Sequence, residues 1–243
     1  MHKLLALLLG CIVLSQVSAA QEKQIDNHHR RTGIGITFST LGAGIEIAAP
    51  LTTRSNLRTA FNMFRYSRPF DTNGITYSGE LDLRSAQLMY DWFPFANAFH
   101  LSPGIVVYNG NRITAQLSVP AGKRFDLDHN TYLSDPKDPI RGNATITFRK
   151  IAPSFLFGWG NLIPRKHHRF TVPVEFGLVF HGEPKLSFDL GGKGCDGGHH
   201  VCKAINKDPE GIRDIATERA KINHTLSRFR FYPILSIGFA YNF

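Results

Sequence analysis

The chain has 243 residues, a formal charge of +9 and a mean hydropathy of −0.15. Aromatic residues make up 12 % of it and 22 positions are glycine, a mixture that favours strands and close backbone approach. Beyond residue 20 the sequence holds no run of the roughly 20 apolar residues that a membrane helix needs, and no repeat marks a solenoid or propeller, so one strand-rich domain is expected.

The first 20 residues read as an export signal: Met1-His2-Lys3, an apolar run from Leu4 to Val13, then small residues Val17-Ser18-Ala19-Ala20, with cleavage after Ala19 or Ala20. A lipoprotein signal at Leu8-Leu9-Gly10-Cys11 competes with this, but it leaves too short an apolar run. Residues 21–32 form a leader containing His28, His29, Arg30 and Arg31. Adjacent histidines suggest metal, yet no spaced partners follow, and a flexible leader is expected. The positive charge fits lipid phosphates, nucleic acid or solvated loops, and the export signal argues against nucleic acid.

From residue 33 onward the pattern alternates, as a strand with two unlike faces requires. Eight segments are expected as strands: 33–39, 43–49, 55–66, 78–92, 99–108, 144–159, 170–180 and the C-terminal run from Phe229 to Phe243. Thr40-Leu41-Gly42 makes a tight turn between the first two. The third places Leu57, Phe61 and Met63 outward. The fourth starts with Leu81 and Leu83 outward and ends with Leu88, Tyr90 and Trp92 outward, so a β-bulge is expected near Ser85. The sixth changes phase at Arg149-Lys150, and the seventh alternates from Phe170 to Phe180. Connections at 50–54, 93–98 and 161–168 are short, whereas those at 67–77, 109–143 and 185–228 are long. This ordering, together with aromatic strand ends such as Tyr90-Asp91-Trp92-Phe93 and Gly158-Trp159-Gly160, is what a closed barrel in an outer membrane shows.

On these features residues 33–243 resemble the small bacterial outer-membrane β-barrel proteins of the OmpA/OmpW-like class. The resemblance implies an all-β, antiparallel up-and-down transmembrane barrel of about eight strands, placed in the bacterial cell outer membrane. It implies outer-membrane lipid, lipopolysaccharide and the barrel-assembly machinery as partners. Tyr241 and Phe243 resemble the C-terminal signal that this machinery reads. Unlike the larger members, this chain is expected to carry no periplasmic domain after Phe243.

The inward register assigns Glu46, Arg58, Asp82, Arg84, Asp91, Glu175 and Arg230 to the lumen. Eight strands enclose just enough space for side chains, and buried charges must pair, so a lumen charge network that plugs the barrel is expected, with a narrow solute path as its alternative. In the loop 185–228, Cys195 and Cys202 are expected as a disulfide; a zinc site with His199 and His200 is the competing arrangement. Asp208-Pro209 followed by Ile212, Ile215, Arg219, Ile222 and Leu226 predicts a short amphipathic helix in that loop, which caps the barrel mouth, lies in the lipid interface or meets an extracellular partner. Asn143 and Asn223 match glycosylation acceptors by chance.

No catalytic motif, cofactor or metal site is expected. The enzyme alternative is a lipid A deacylase-like activity, because His100-Leu101-Ser102 has a His-x-Ser spacing. Both residues fall on the lumen side near a short turn, where the resembling family has no site. A soluble lipocalin-like barrel would carry the same alternation with its faces exchanged.

Overall fold

The computed structural model describes residues 32–242, apart from 73–74, 129, 164–168 and 197–200. The export signal, the leader up to Arg31, His199, His200 and Phe243 therefore lie outside the described residues. In chain order the strands are β1 (Gly33–Ser39), β2 (Gly42–Thr52), β3 (Ser55–Thr72), β4 (Ile75–Trp92), β5 (Phe99–Asn109), β6 (Arg112–Ser118), β7 (Arg124–Leu127), β8 (Asn130–Ser134), β9 (Arg141–Thr147), β10 (Ala152–Trp159), β11 (Phe170–Thr171), β12 (Val174–Val179), β13 (Lys185–Gly191), β14 (Lys193–Asp196), β15 (Cys202–Ala204) and β16 (Tyr232–Asn242). Among the described residues one helix, α1 (Pro209–Leu226), precedes β16.

Eight strands close into a ring. β1 pairs with β2 and β16, β2 with β3, β3 with β4, β4 with β5, β5 with β10, β10 with β12, and β12 with β16. Every pairing is antiparallel, so the all-β up-and-down barrel is the architecture, and closure removes the unpaired edges that lipid would not tolerate. Alternation turns Ile34, Ile36 and Phe38 of β1 outward, and Leu235, Ile237 and Phe239 of β16 likewise; all six are more than 40 % exposed. Thr40-Leu41 makes the β1–β2 turn, and Gly42 after it has φ 110°, a left-handed conformation that glycine adopts without strain.

Beyond the barrel, β3 and β4 continue as one ribbon. Upper β4 exchanges β5 for β6, and β9 and β13 extend the sheet further. The connections expected as long loops at 67–77, 109–143 and 185–228 thus carry strands, and the last also carries α1. One face of this outer sheet packs Leu186, Phe188 and Leu190 into a core with Val119, Ile140 and Ile205, to which α1 contributes Ile215, Ile222 and Leu226. β7, β8, β14 and β15 form a second, small sheet. Ile212 and Arg219, expected on the apolar stripe of α1, are exposed instead.

Three strand expectations change. The segment 144–159 is two strands, β9 in the outer sheet and β10 in the barrel. The segment 170–180 breaks at Val172-Pro173, because proline has no N–H for the ladder. The bulge near Ser85 lies on β5 instead: Ala86 pairs with Tyr108 and Gln87 with Val106, leaving Val107 as the extra residue. β4 itself pairs with β3 without irregularity from Trp92 to Ile75.

Candidate functional site

The lumen is built from inward positions at matching heights. Arg58 of β3 is 1 % exposed and lies at the centre. Its Nη1 donates to Glu46 Oε2 of β2 at 3.2 Å and to Glu175 Oε2 of β12 at 2.9 Å. Its Nε and Nη2 donate to Asp91 Oδ1 of β4 at 3.2 and 3.0 Å, and Nη2 also reaches Glu175 Oε1. His100 Nε2 of β5 sits 2.8 Å from Glu175 Oε1, and Ser102 Oγ donates to Asp91 Oδ1 at 2.7 Å. One guanidinium therefore holds three carboxylates drawn from three strands. Its planar fork of five N–H donors makes this feasible, where an ammonium offers three.

Apolar layers cover this cluster on both sides. Toward the long connections lie Leu41, Ala60, Met89, Val106, Leu156 and Ile234. Toward the short turns, Leu162 and Ile163 pack with Ala48 and Ala240. Asn161 locks that stopper: its Oδ1 accepts from Asn56 Nδ2 at 2.9 Å and from the Ile163 amide at 3.0 Å. The cavity bordering Glu46, Gln87 and Glu175 measures about 10 Å³, space for about one water.

Three residues assigned to the lumen lie elsewhere. Because β4 is regular, Asp82 and Arg84 share the face of Leu88 and Tyr90, opposite to Asp91; Leu81 and Leu83 point inward. On that outer face Asp82 is held by Arg65 Nη2 at 3.1 Å, Arg84 Nε at 3.0 Å and Arg112 Nη2 at 3.1 Å. Arg230 precedes β16, is exposed and pairs with Glu183 at 2.6 Å. Sequence reasoning missed Arg65, Arg112 and Asn161. The parity of Arg65 relative to Leu57 and Phe61 marked it as outward, whereas Arg112 and Asn161 lay in segments read as loops.

His100 and Ser102 face the lumen, but no hydrogen bond joins them. Ser102 donates its hydrogen bond to Asp91 and His100 meets Glu175, and both are buried. A Ser–His nucleophile needs the imidazole on the hydroxyl. Among the described residues no cluster of His, Cys, Asp and Glu could hold a metal. Cys195 and Cys202 form a disulfide across the β14–β15 hairpin. Tyr241 packs its ring 5.1 Å from Phe170.

A closed eight-stranded ring with an apolar outside and a packed polar inside is the fold of a small outer-membrane β-barrel. Solved structures share it. CarO of Acinetobacter baumannii superposes with a TM-score of 0.54 at 18 % identity, over 87 % of this chain and 97 % of that one. CarO2 of Acinetobacter baumannii gives 0.56 at 18 % identity, over 88 % and 99 %. The likeness is one of fold. No family model and no curated protein sequence matches the chain.

Proposed function

We propose that this protein is a non-enzymatic outer-membrane barrel whose lumen is closed and whose work is done by the sheet-and-helix layer on its extracellular side. Cleavage of residues 1–20, insertion by the barrel-assembly machinery and recognition of an extracellular partner through residues 185–228 belong to this reading. One observation carries it: the fully buried Arg58 cluster lies between two apolar layers, with a void of only about 10 Å³ beside it. A water-filled pore needs a wider ring of strands. Short turns on one side and an elaborated sheet on the other match the periplasmic and extracellular ends of such barrels.

The test is conductance of the refolded mature protein in a planar bilayer. A folded but silent barrel is the expected result. Discrete, reproducible channels that disappear in Arg58 variants would overturn the closed-lumen reading and favour the narrow path for small solutes.

A further inference from the structure

The outer face of β4 changes character in three steps along one strand. Outward positions near the short turns are Trp92, Tyr90 and Leu88, all exposed and apolar. Next come Arg84 and Asp82, with Arg65 and Arg112 beside them on β3 and β6. Above these the outward face is polar: Ser78 and Thr76 on β4, Gln116 and Ser118 on β6 and Asn143 on β9, with the charged Glu80, Asp71, Arg141 and Asp189 at paired positions among them. A concavity of about 600 Å³ lies among them. From Trp92 to Arg84 is eight residues, which at about 3.4 Å each and a tilt of about 40° rise roughly 21 Å. The apolar band of such a barrel is about 25 Å tall. The arginines therefore stand at the boundary where the apolar band ends.

Their charge is incompletely used. Asp82 is 4 % exposed beneath Arg65, Arg84 and Arg112, whose side chains are 57, 51 and 51 % exposed. Glu80 adds one further carboxylate, 3.5 Å from Arg65. Three guanidiniums thus meet two carboxylates, and each uses at most two of its five N–H donors on them. Asp82 acts as a staple that brings the three cations together in spite of their repulsion. The open donors face the side from which lipid headgroups approach.

We infer that Arg65, Arg84 and Arg112 form a site for the phosphate groups of a phosphorylated glycolipid of the outer leaflet, its acyl chains lying on the apolar band below and its sugars on the polar face above. Acyl chain, phosphate and sugar are the three zones of such a lipid, in the order in which β4 presents apolar, cationic and polar side chains. Planar guanidinium is the side chain best matched to phosphate oxygens. The inference rests on the outer-membrane placement proposed above.

The experiment uses the refolded full-length mature barrel in detergent, titrated with bisphosphorylated lipid A, with its dephosphorylated form and with inorganic phosphate. The wild type is expected to prefer the phosphorylated lipid on the order of a hundredfold, the sum of three cation contributions at a membrane surface. The triple variant R65Q/R84Q/R112Q should lose that preference while still binding the acyl chains. Glu80→Gln, an exposed change that leaves the arginines in place, should strengthen it. Equal binding of both lipids by the wild type, or a preference unchanged in both variants, overturns the site. Inorganic phosphate binding as tightly as the lipid would make it a free-anion site and overturn the lipid assignment. Cell fractionation reports the membrane placement separately, so the two readings fail independently.

Discussion

Asp82 and Asp91 lie nine residues apart on β4 and face opposite sides of it. Asp91 is sealed inside the barrel with Arg58 and Ser102, whereas Asp82 is covered from outside by three half-exposed arginines. The two carboxylates therefore have different energetic roles. Asp91→Asn should lower the urea midpoint of the refolded barrel, because it takes the charge from two Arg58 bonds in a place that water does not reach; the loss expected is about 1–3 kcal/mol. Asp82→Asn should leave the midpoint nearly unchanged, since partly exposed pairs contribute about 0–1 kcal/mol. Equal midpoint shifts for the two variants would show that the inside–outside division carries no energetic weight.

The three carboxylates on Arg58 are unequal. Glu175 takes bonds from Arg58 on both oxygens and also meets His100, while Glu46 takes a single bond at 3.2 Å. Three carboxylates and one arginine leave an excess of negative charge, and neutralising one of them relieves repulsion. Glu46→Gln is therefore expected to be neutral or slightly stabilising, and Glu175→Gln destabilising by about 1–3 kcal/mol. Arg58→Met should be the most severe, at about 3–5 kcal/mol, since it leaves three buried carboxylates without the guanidinium they share. Unfolding midpoints of the three variants, compared with heat-modified gel mobility as a check of folding, give the ranking. A Glu46 variant as damaged as the Glu175 variant would contradict it.

The barrel strands were legible because period-two alternation sets an apolar outer face against a packed lumen. Glu46, Arg58, Asp91 and Glu175 stood out for the same reason, as charges at inward positions between apolar neighbours. Beyond the barrel this logic fails. In β6, β9 and β13 an apolar face also alternates with a polar one, but its cover is α1 and the small sheet. Leucine looks the same in either setting, so Leu83, buried on the inner side, was read as outward and its neighbours Asp82 and Arg84 were turned inward with it. Side-chain period reports two different faces and says nothing about what covers them. Arg230 failed differently: β16 begins at Tyr232, so the residue lies beyond the strand whose parity assigned it.

The disulfide should matter locally. Cys195 and Cys202 are directly paired in the β14–β15 hairpin, which abuts β8 of the small sheet. Closing so short a loop restricts the unfolded chain by about 2 kcal/mol in the loop-entropy picture, and only that hairpin benefits. The double variant C195S/C202S is expected to keep the wild-type urea midpoint of the barrel while limited proteolysis cuts the 185–228 segment several-fold faster. A barrel that loses its folded gel mobility in this variant would show that the outer layer and barrel fold as one unit.

The docking of α1 depends on one buried carboxylate. Asp214 is 3 % exposed and accepts from Tyr132 Oη at 2.7 Å and from Asn130 Nδ2 at 2.8 Å, tying the helix to β8. Burial, and then the hydrogen bond to Asp214 and its negative charge, hold the Tyr132 phenol well above its ordinary pKa. The folded pKa is raised, so the neutral phenol is favoured by docking. Its contribution is fully present below the unfolded value of about 10 and is lost as pH rises from there through the folded value. α1 should therefore remain docked across neutral pH and release only in strong alkali, together with the appearance of tyrosinate absorbance. Tyr132→Phe removes one donor to a buried carboxylate and should cost about 1.5–3 kcal/mol at neutral pH, read as faster hydrogen exchange in 209–226. It should also abolish the tyrosinate step that accompanies release. If α1 exchanged equally fast in wild type and variant at neutral pH, the Tyr132–Asp214 bond would not be what holds the helix to the sheet.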